Sequence, residues 1–347
     1  MIAKNIMHRE DGMKLGRIAL LAAAIGLSTT SGSAQEINLV FATTNTPNAH
    51  LNARVLHPWA ERINQQGKGV VRIDVRDGPT IANHLNYYQR VMDDVVQMAW
   101  GLPVYVAGKF VLTNVTTLPF LVDKAEDASV ALWRLHQAGM LDSEYNDVVP
   151  LYLIAFPQVG VHLAKAPRTI DSLAGLKLAV GNKAGADILT RLGGTPISLP
   201  LTDYYEGIQR GTVDGSMSQW TQFQPFKLGE VTNYHIDTQL GSAAGMVFMS
   251  KKKWQSLPEP VRKLLMENSG EKQARLFGAF WDNVNEEGRA MMRGKPGHTI
   301  VNLSAEHQAK WRQAVQPVTD TWATGTPGGE KVLDAFQSEI KKVQAGG

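Results

Sequence analysis

Two pairs of titratable side chains are spaced as metal ligands or as paired catalytic carboxylates could be. His57 and Glu61 stand four residues apart and could share a helix face that binds a metal ion, but no third ligand accompanies them. A solvated helical pair is therefore favoured. Asp93 and Asp94 could be paired carboxylates, yet adjacent helix residues point about 100° apart and cannot flank one substrate bond. We predict that they lie at a helix end on the surface.

Other sequence motifs for catalysis are missing. The chain has no nucleophile elbow, phosphate loop or zinc-protease helix, and Gly181–Gly185 has the wrong glycine spacing for a dinucleotide fingerprint. The absence of cysteine among 347 residues excludes disulfides, thiolate zinc sites, iron–sulfur clusters, cysteine nucleophiles and a lipid-anchored lipoprotein. We therefore expect a protein that is not an enzyme and needs no cofactor or metal.

Charge is spread evenly along the chain. Lysine and arginine number 35 against 32 acidic residues, and a local basic excess occurs only in the first 17 residues. Nucleic-acid binding needs a concentrated basic surface, so no nucleic-acid partner is expected.

The N-terminus has the order of a secretory signal peptide. Lys14 and Arg17 precede the apolar run 18–27, and small residues follow as far as Ala34. The run of about ten apolar residues is shorter than the roughly twenty that span a bilayer. Residues 1–34 are therefore predicted to be a signal peptide cleaved near Ala34, with a periplasmic mature protein. Met1 and Met13 both remain candidate start residues.

The elements that follow alternate between strands and helices. Ile37–Ala42 and Val70–Val75 have strand chemistry, and helices are predicted from about His50 to Gln65 and over 82–95. This alternation indicates parallel α/β structure, and the length favours two lobes. Further predicted elements are strands at 95–100, 149–156 and 176–180, helices at 124–138, 304–323 and 328–343, and a long, mostly uninterrupted helix over 260–293.

Several short motifs occur in a characteristic order. They are Phe41-Ala42, Leu118-Pro119-Phe120, Gly175-Leu-Lys-Leu178, Tyr205-Glu-Gly-Ile-Gln-Arg-Gly-Thr-Val-Asp-Gly215, Glu230-Val231 and Trp254-Gln-Ser-Leu-Pro258. Together they resemble the DctP-type solute-binding proteins of TRAP transporters, over about Ile37 to Lys342. The segment ending at Gly215 is the most specific of these motifs. Its residues also predict a short helix followed by a turn into the edge of a sheet.

The resemblance implies a two-lobed, type II-like periplasmic solute-binding fold with hinge strands and a long helix spanning both lobes. Residues 35–158 plus about 243–283 would form the first lobe. Residues 159–242 plus about 284–343 would form the second lobe, with the C-terminal helices. It also implies a small organic solute in the interlobe cleft, delivery to TRAP membrane permease subunits, and a monomer or a homodimer.

The sequence departs from the family pattern where a solute carboxylate would bind. Ala179 stands where the family usually has an arginine that clamps the carboxylate in a two-pronged pair. His162 takes the place of a second frequent arginine, and Ser218 that of an asparagine. Asn83-His84 replaces charged residues at the second helix. These changes suggest a solute other than a simple carboxylate.

Candidate cleft residues remain near the ends of the predicted strands. Trp100 and Trp220 could stack on a flat or cationic ligand, although core packing describes either one equally well. Two alternatives stay open: a secreted enzyme on this scaffold that uses His84 and His162, and a ligand sensor for a membrane kinase. The predicted ligand-binding residues are Thr44, Asn45, His84, Tyr87, Trp100, Gly101, Leu102, His162, Ala179, Asn182, Ser218, Gln219, Trp220 and Gln222.

Overall fold

The computed structural model describes residues 36–347 of the chain. The predicted signal peptide, residues 1–34, lies outside the described residues. Within the described part, no helix is both long enough and apolar enough to cross a membrane.

The strands form two mixed sheets. They are β1 (Ile37–Ala42), β2 (Val71–Arg76), β3 (Met98–Gly101), β4 (Val148–Ala155), β5 (Gly160–Leu163), β6 (Lys177–Val180), β7 (Thr195–Ser198), β8 (Gly215–Ser218), β9 (Tyr234–Asp237), β10 (Ala244–Ser250) and β11 (Thr299–Asn302). The first sheet has the order β2-β1-β3-β10-β4, and the second has the order β11-β9-β5-β8-β6-β7. In the first sheet only β10 runs antiparallel to its neighbours, and in the second only β5 does. The segment ending at Gly215 leads into β8, which lies inside its sheet and not at the edge that we predicted.

Helices cover these sheets. They are α1 (His57–Gln66), α2 (Tyr87–Met92), α3 (Ala125–Gln137), α4 (Lys183–Arg191), α5 (Tyr204–Gln209), α6 (Lys251–Ser256), α7 (Glu259–Glu267), α8 (Gly270–Arg293), α9 (Ala305–Gly325) and α10 (Gly329–Gln344). A π-helical turn, Asn52–Leu56, leads into α1.

Two predicted helices differ from the structure. The helix predicted over 82–95 is confined to α2, because the side chains of Asn83 and Asn86 accept bonds from the backbone N–H groups of Leu85 and Asn83. The long helix predicted over 260–293 is divided into α7 and α8, and Gly270 at the break has a φ of +68°. A left-handed residue cannot continue a right-handed helix, so the second segment starts in a new direction.

Two hinge segments connect the sheets. Residues 156–159 lead from β4 to β5 and residues 238–243 lead from β9 to β10. They pair through Phe156 N–H to the Ala243 carbonyl (2.9 Å) and Val159 N–H to the Gly241 carbonyl (2.8 Å). The predicted hinge between two sheets is thus confirmed.

Helix α8 is the third connection, since it packs against α3 and β4 and also against β11 and the turn at Trp220–Gln222. Glycines allow both close approaches. A Cβ atom at Gly278 would lie 2.6 Å from the Ala125 carbonyl oxygen, and one at Gly288 would lie 2.3 Å from the Trp220 carbonyl oxygen.

The two C-terminal helices belong to different apolar cores. Trp311 of α9 is buried in a cluster beside the second sheet, whereas Phe336 of α10 is buried in the cluster of the first sheet. We expected both helices in the second lobe, but α10 packs against α3. The remaining residue ranges of the lobes stay a prediction.

Candidate functional site

Both sheets present the carboxyl ends of their parallel strands to the hinge. In the first sheet, β4 is parallel to β1 and β3, and its carboxyl end enters the hinge. In the second sheet, β9 is parallel to β6 and β8 and also enters the hinge at its carboxyl end. Ligands of α/β proteins bind outside the carboxyl ends of strands, so the candidate cleft lies between these two edges.

Neutral aromatic and imidazole groups occupy the edge of the first sheet. Thr44 follows β1, and its Oγ1 lies 3.3 Å from Nε2 of His84, whose ring packs on Tyr105 at 5.2 Å between centroids. Burial lowers the pKa of His84, so its ring is uncharged at neutral pH. Its Nδ1 atom is buried without a hydrogen-bond partner among the described residues. The predicted residue Leu102, after β3, is half-buried.

A polar network supports the loop after β1. Asn52 donates through Nδ2 to Thr43 Oγ1 (2.6 Å) and to the Asn45 carbonyl (3.0 Å), and it also reaches Asp77 Oδ1. His57 Nε2 lies 2.9 Å from that Asp77 oxygen. The ring of His57 therefore pairs with Asp77 and not with a metal. The described residues contain no group of three histidine, aspartate or glutamate side chains placed to hold a metal ion.

Three of the predicted site residues lie in the core of the first lobe. Tyr87 is fully buried, and a Cβ atom at Gly101 would collide with its ring at 1.9 Å. Trp100 is fully buried against Phe277, with ring centroids 5.1 Å apart. Both rings are therefore enclosed by the protein, and contact of Tyr87 or Trp100 with a ligand stays a prediction.

Two of the residues at which the sequence departs from the family pattern, Ala179 and His162, share one row of the second sheet. Strand register aligns Ala179 with Ser216, Ser216 with His162, and His162 with His235. Ala179 is fully buried in an apolar cluster that includes Tyr204 and Ile208. The position at which the resemblance implies an arginine is therefore enclosed by apolar side chains.

His162 belongs to a chain of three histidines. Its Nε2 lies 3.1 Å from the Ser218 carbonyl, and its Nδ1 lies 3.2 Å from Nδ1 of His235. Nε2 of His235 lies 3.0 Å from Nδ1 of His298. A carbonyl only accepts hydrogen bonds, so His162 carries its proton on Nε2 and accepts from His235 at Nδ1. His235 then accepts at Nε2 from Nδ1–H of His298.

His162, a predicted ligand-binding residue, is enclosed within the second lobe. The ring is completely buried, with Trp220 and Phe223 at centroid distances of 4.6 and 4.7 Å. Burial lowers the pKa of His162 to about 3, and burial together with neighbouring His162 and His298 lowers that of His235 to about 2. Both imidazoles are therefore uncharged, and both ring nitrogens of His162 are used within the protein.

The segment after β8 closes this side of the cleft. Trp220 is buried and donates from Nε1 to Asp237 Oδ1 at 3.0 Å. Gln219 donates from Nε2 to the hinge carbonyl of Pro157 at 2.8 Å, and its own N–H donates to Oε1 of Gln222 at 3.3 Å. Asn182 has a structural role, because its Oδ1 caps α4 by accepting from Gly185 N–H (2.8 Å).

The structure adds two aromatic residues that we did not select from the sequence. Tyr105 packs on His84 beside the loop after β1, and Tyr204 begins α5, which follows β7. Burial raises the pKa of Tyr204, and the phenol of Tyr105 adds to the rise. The lobes also meet where His50 Nε2 lies 2.7 Å from Gln224 Oε1 and where Arg54 pairs with Glu287 at 3.5 Å. Tyr204 lies next to the most specific family motif, which is the one signal that could have indicated it.

Two α/β lobes joined by paired hinge segments and a crossing helix define a solute-binding protein. The chain belongs to the bacterial extracellular solute-binding proteins of family 7, the DctP family, whose model matches residues 41–325. This family supplies the periplasmic receptors of TRAP transport systems, and the predicted family, fold class and receptor role are confirmed.

Relatives agree with this assignment. The outer membrane transporter protein TsaT of Comamonas testosteroni is 24% identical over 337 residues, which is 94% of this chain and 98% of TsaT. The C4-dicarboxylate-binding periplasmic protein DctP of Rhodobacter capsulatus is 26% identical over 162 residues, 46% of this chain and 48% of that protein.

Solved structures show the same fold. A marine metagenome TRAP solute-binding protein specific for aromatic acid ligands, in complex with metahydroxyphenylacetate, has a TM-score of 0.81 and 24% identity, covering 88% of this chain and 99% of that one. A TRAP solute-binding protein from Rhodoferax ferrireducens in complex with copurified benzoate has a TM-score of 0.80 and 24% identity, with coverage of 88% and 98%.

Proposed function

We propose that this protein is a periplasmic receptor that binds an aromatic organic solute between its lobes and delivers it, chemically unchanged, to TRAP membrane permease subunits. The observation that supports the proposal is the facing pair of strand edges, with His84 and Tyr105 beside the loop after β1 and Tyr204 in the helix after β7. Residues 1–34 would direct the chain to the periplasm and be removed near Ala34.

An aromatic solute is supported by the groups at the two edges. Rings of His84, Tyr105 and Tyr204 offer flat apolar surfaces, and aromatic pairs gain about 0.5–1.5 kcal/mol beyond area burial. Relatives of similar fold bind metahydroxyphenylacetate and benzoate. Because position 179 is an enclosed alanine, we propose that neutral donors such as the Tyr105 and Tyr204 hydroxyls and His84 bind the polar group of the solute.

Closure would depend on the ligand. The polar contacts between the lobes, His50 with Gln224 and Arg54 with Glu287, are exposed, and exposed pairs contribute about 0–1 kcal/mol. Such contacts stabilise the closed state weakly. A solute that contacts both lobes would add the larger share and shift the population towards closure.

A ligand screen tests the proposal. Purified protein is heated with benzoate, 3-hydroxybenzoate, their neutral amides, succinate, sugars and amines, and the melting temperature is recorded. A ligand at a hundredfold excess over its Kd stabilises the folded state by about 2.7 kcal/mol. We expect aromatic compounds to raise the melting temperature and to be recovered unchanged. Stabilisation by succinate and not by aromatic compounds would contradict the proposed solute class.

A matched pair of variants locates the bound ligand. His84 and His136 both have a buried Nδ1 without a partner among the described residues, but His136 packs between Trp133 and Tyr145, away from the cleft. We expect His84→Leu to remove the ligand-induced shift and His136→Leu to keep it. Equal shifts in both variants would place the ligand away from His84.

A further inference from the structure

A second cavity lies beside the histidine chain, at the carboxyl ends of β9 and β11 and against α8. Its volume is about 470 Å³, and it is lined by Asp237, Arg289, Arg293, His298, Ile300 and Asn302. Pockets for small ligands have volumes of about 300–1,000 Å³. All of these lining residues belong to the second sheet, the loop before β11 or α8, whereas the aromatic groups described above include residues of both lobes.

The cavity carries an excess of positive charge. Arg289 is committed to Asp237, with Nε 2.7 Å from Oδ2, and to Glu286. Arg293 is more available, because its side chain is 62% exposed and its contacts with Glu286 Oε1 are long, at 3.4 Å. A guanidinium has five N–H donors, so Arg293 retains donors for a ligand. Lys295 lies in the loop before β11, where its Nζ donates to the Gly229 carbonyl and its charge acts on His298.

The histidine chain ends in this cavity with one free basic nitrogen. His298 donates from Nδ1 to His235, and its Nε2 atom takes no part in the hydrogen bonds among the three histidines. In the neutral ring this Nε2 atom is an acceptor. A proton can be added there without breaking a hydrogen bond of the chain. His162 and His235 offer no such position, because both nitrogens of each ring are engaged.

We propose that this cavity binds a carboxylate or another small oxyanion, with Arg293 as the principal donor and with uptake of one proton at Nε2 of His298. This goes beyond the receptor role and does not depend on the identity of the transported solute. The proton comes from solvent, and it converts the unused acceptor of His298 into a second donor for the anion.

The groups around His298 explain why anion binding and protonation are linked. Arg289 and Arg293 face it from α8, Asp237 and His235 face it from β9, and Lys295 lies in its own loop. Burial and Lys295 disfavour the protonated ring when the cavity holds no anion. A bound anion offsets these cations and favours protonation, so anion affinity should increase as the pH falls.

Calorimetric titration with benzoate, succinate and inorganic phosphate tests this site, at about pH 5.5 and about pH 7.5, on either side of the ordinary histidine pKa. The variants are Arg293→Gln, and His298→Asn, whose amide can still donate to His235. Arg191→Gln is the control, since Arg191 is an exposed arginine in the last turn of α4. Each titration is repeated in buffers of different ionisation enthalpy. A binding enthalpy that changes with the buffer shows that a proton is taken up on binding.

We expect tighter binding at the lower pH and about a tenfold or greater loss of affinity in Arg293→Gln, the usual effect of losing a charge-assisted hydrogen bond. His298→Asn should bind without proton uptake, and Arg191→Gln should match the unmodified protein. Loss of carboxylate binding in Arg293→Gln would identify organic acids as the anion, and loss of phosphate binding alone would identify a free inorganic ion. Equal anion affinity in Arg293→Gln and Arg191→Gln would overturn the proposal.

Discussion

Trp220 donates its indole N–H to Asp237, and the same carboxylate pairs with Arg289 of α8. These contacts join the end of β8, the end of β9 and the helix that crosses between the lobes. The carboxylate lines the charged cavity, and the hinge segment 238–243 begins at the next residue.

Trp220→Phe tests the indole contact. The phenylalanine ring keeps much of the apolar volume but removes the indole donor, so Oδ1 of Asp237 keeps only the longer bond from Arg289 Nη2 at 3.3 Å. The free energy of unfolding should therefore fall by about 1–3 kcal/mol. Urea denaturation measures the change. Trp322→Phe is the control, because Nε1 of Trp322 is buried without a partner among the described residues. A loss of stability no larger than that of Trp322→Phe would show that the indole bond contributes nothing.

The buried histidines predict that the protein loses stability in mild acid. His162 and His235 have native pKa values of about 3 and about 2, against an ordinary value of 6.5. Between the native and the ordinary pKa, each histidine is protonated in the unfolded chain and uncharged in the folded protein. The contribution of these two rings to the free energy of unfolding is therefore complete above pH 6.5 and is lost as the pH falls below it. The slope should be about 1.4 kcal/mol per pH unit for each ring.

Urea denaturation from about pH 7 to about pH 5 measures this slope, above the range in which ordinary carboxylates titrate. His162→Gln, whose side-chain amide can donate to the Ser218 carbonyl, should reduce the slope by about 1.4 kcal/mol per pH unit. The same slope in both proteins would mean that His162 is protonated in the native state.

The close approach of α8 to the second lobe predicts a strong effect of one methyl group. In Gly288→Ala the new Cβ atom would lie 2.3 Å from the Trp220 carbonyl oxygen. Overpacking of this kind costs about 1–3 kcal/mol. Gly294→Ala is the control, since the nearest atom to its Cβ is the Ala290 carbonyl oxygen at 3.8 Å. Thermal unfolding should show a lower melting temperature for Gly288→Ala, and equal values for both variants would contradict the packing of α8 on Trp220.

The fold could be predicted from the sequence further than the site could. Ile37–Ala42 and Val148–Ala155 are apolar runs with strand chemistry, and their strands occur within one residue of the prediction. The short strand β5 was not predicted, because its four residues include a glycine and a polar side chain, so no hydrophobic period identifies it.

The site was harder to predict because side-chain direction depends on tertiary packing. Tyr87 and Trp100 lie near strand and helix ends, as ligand-binding residues often do, yet Gly101 and Gly245 let these rings turn into the core. His235 and His298 were not among the predicted site residues. Their hydrogen bond joins residues 63 positions apart, which sequence spacing cannot show.

The enclosed position of Ala179 predicts the outcome of restoring the arginine that the family resemblance implies. Ala179 is fully buried beside Tyr204 and Ile208, so Ala179→Arg would bury a guanidinium without a carboxylate partner. An uncompensated buried charge destabilises a protein by about 3–5 kcal/mol. Ala179→Leu adds bulk without charge and separates the two effects, since overpacking alone costs about 1–3 kcal/mol.

We expect urea denaturation to give Ala179→Arg a lower free energy of unfolding than Ala179→Leu, and we expect calorimetry to show no gain in succinate affinity. A stable Ala179→Arg protein that binds succinate more tightly would instead show that the cleft extends to position 179 and that the change to alanine determines solute class.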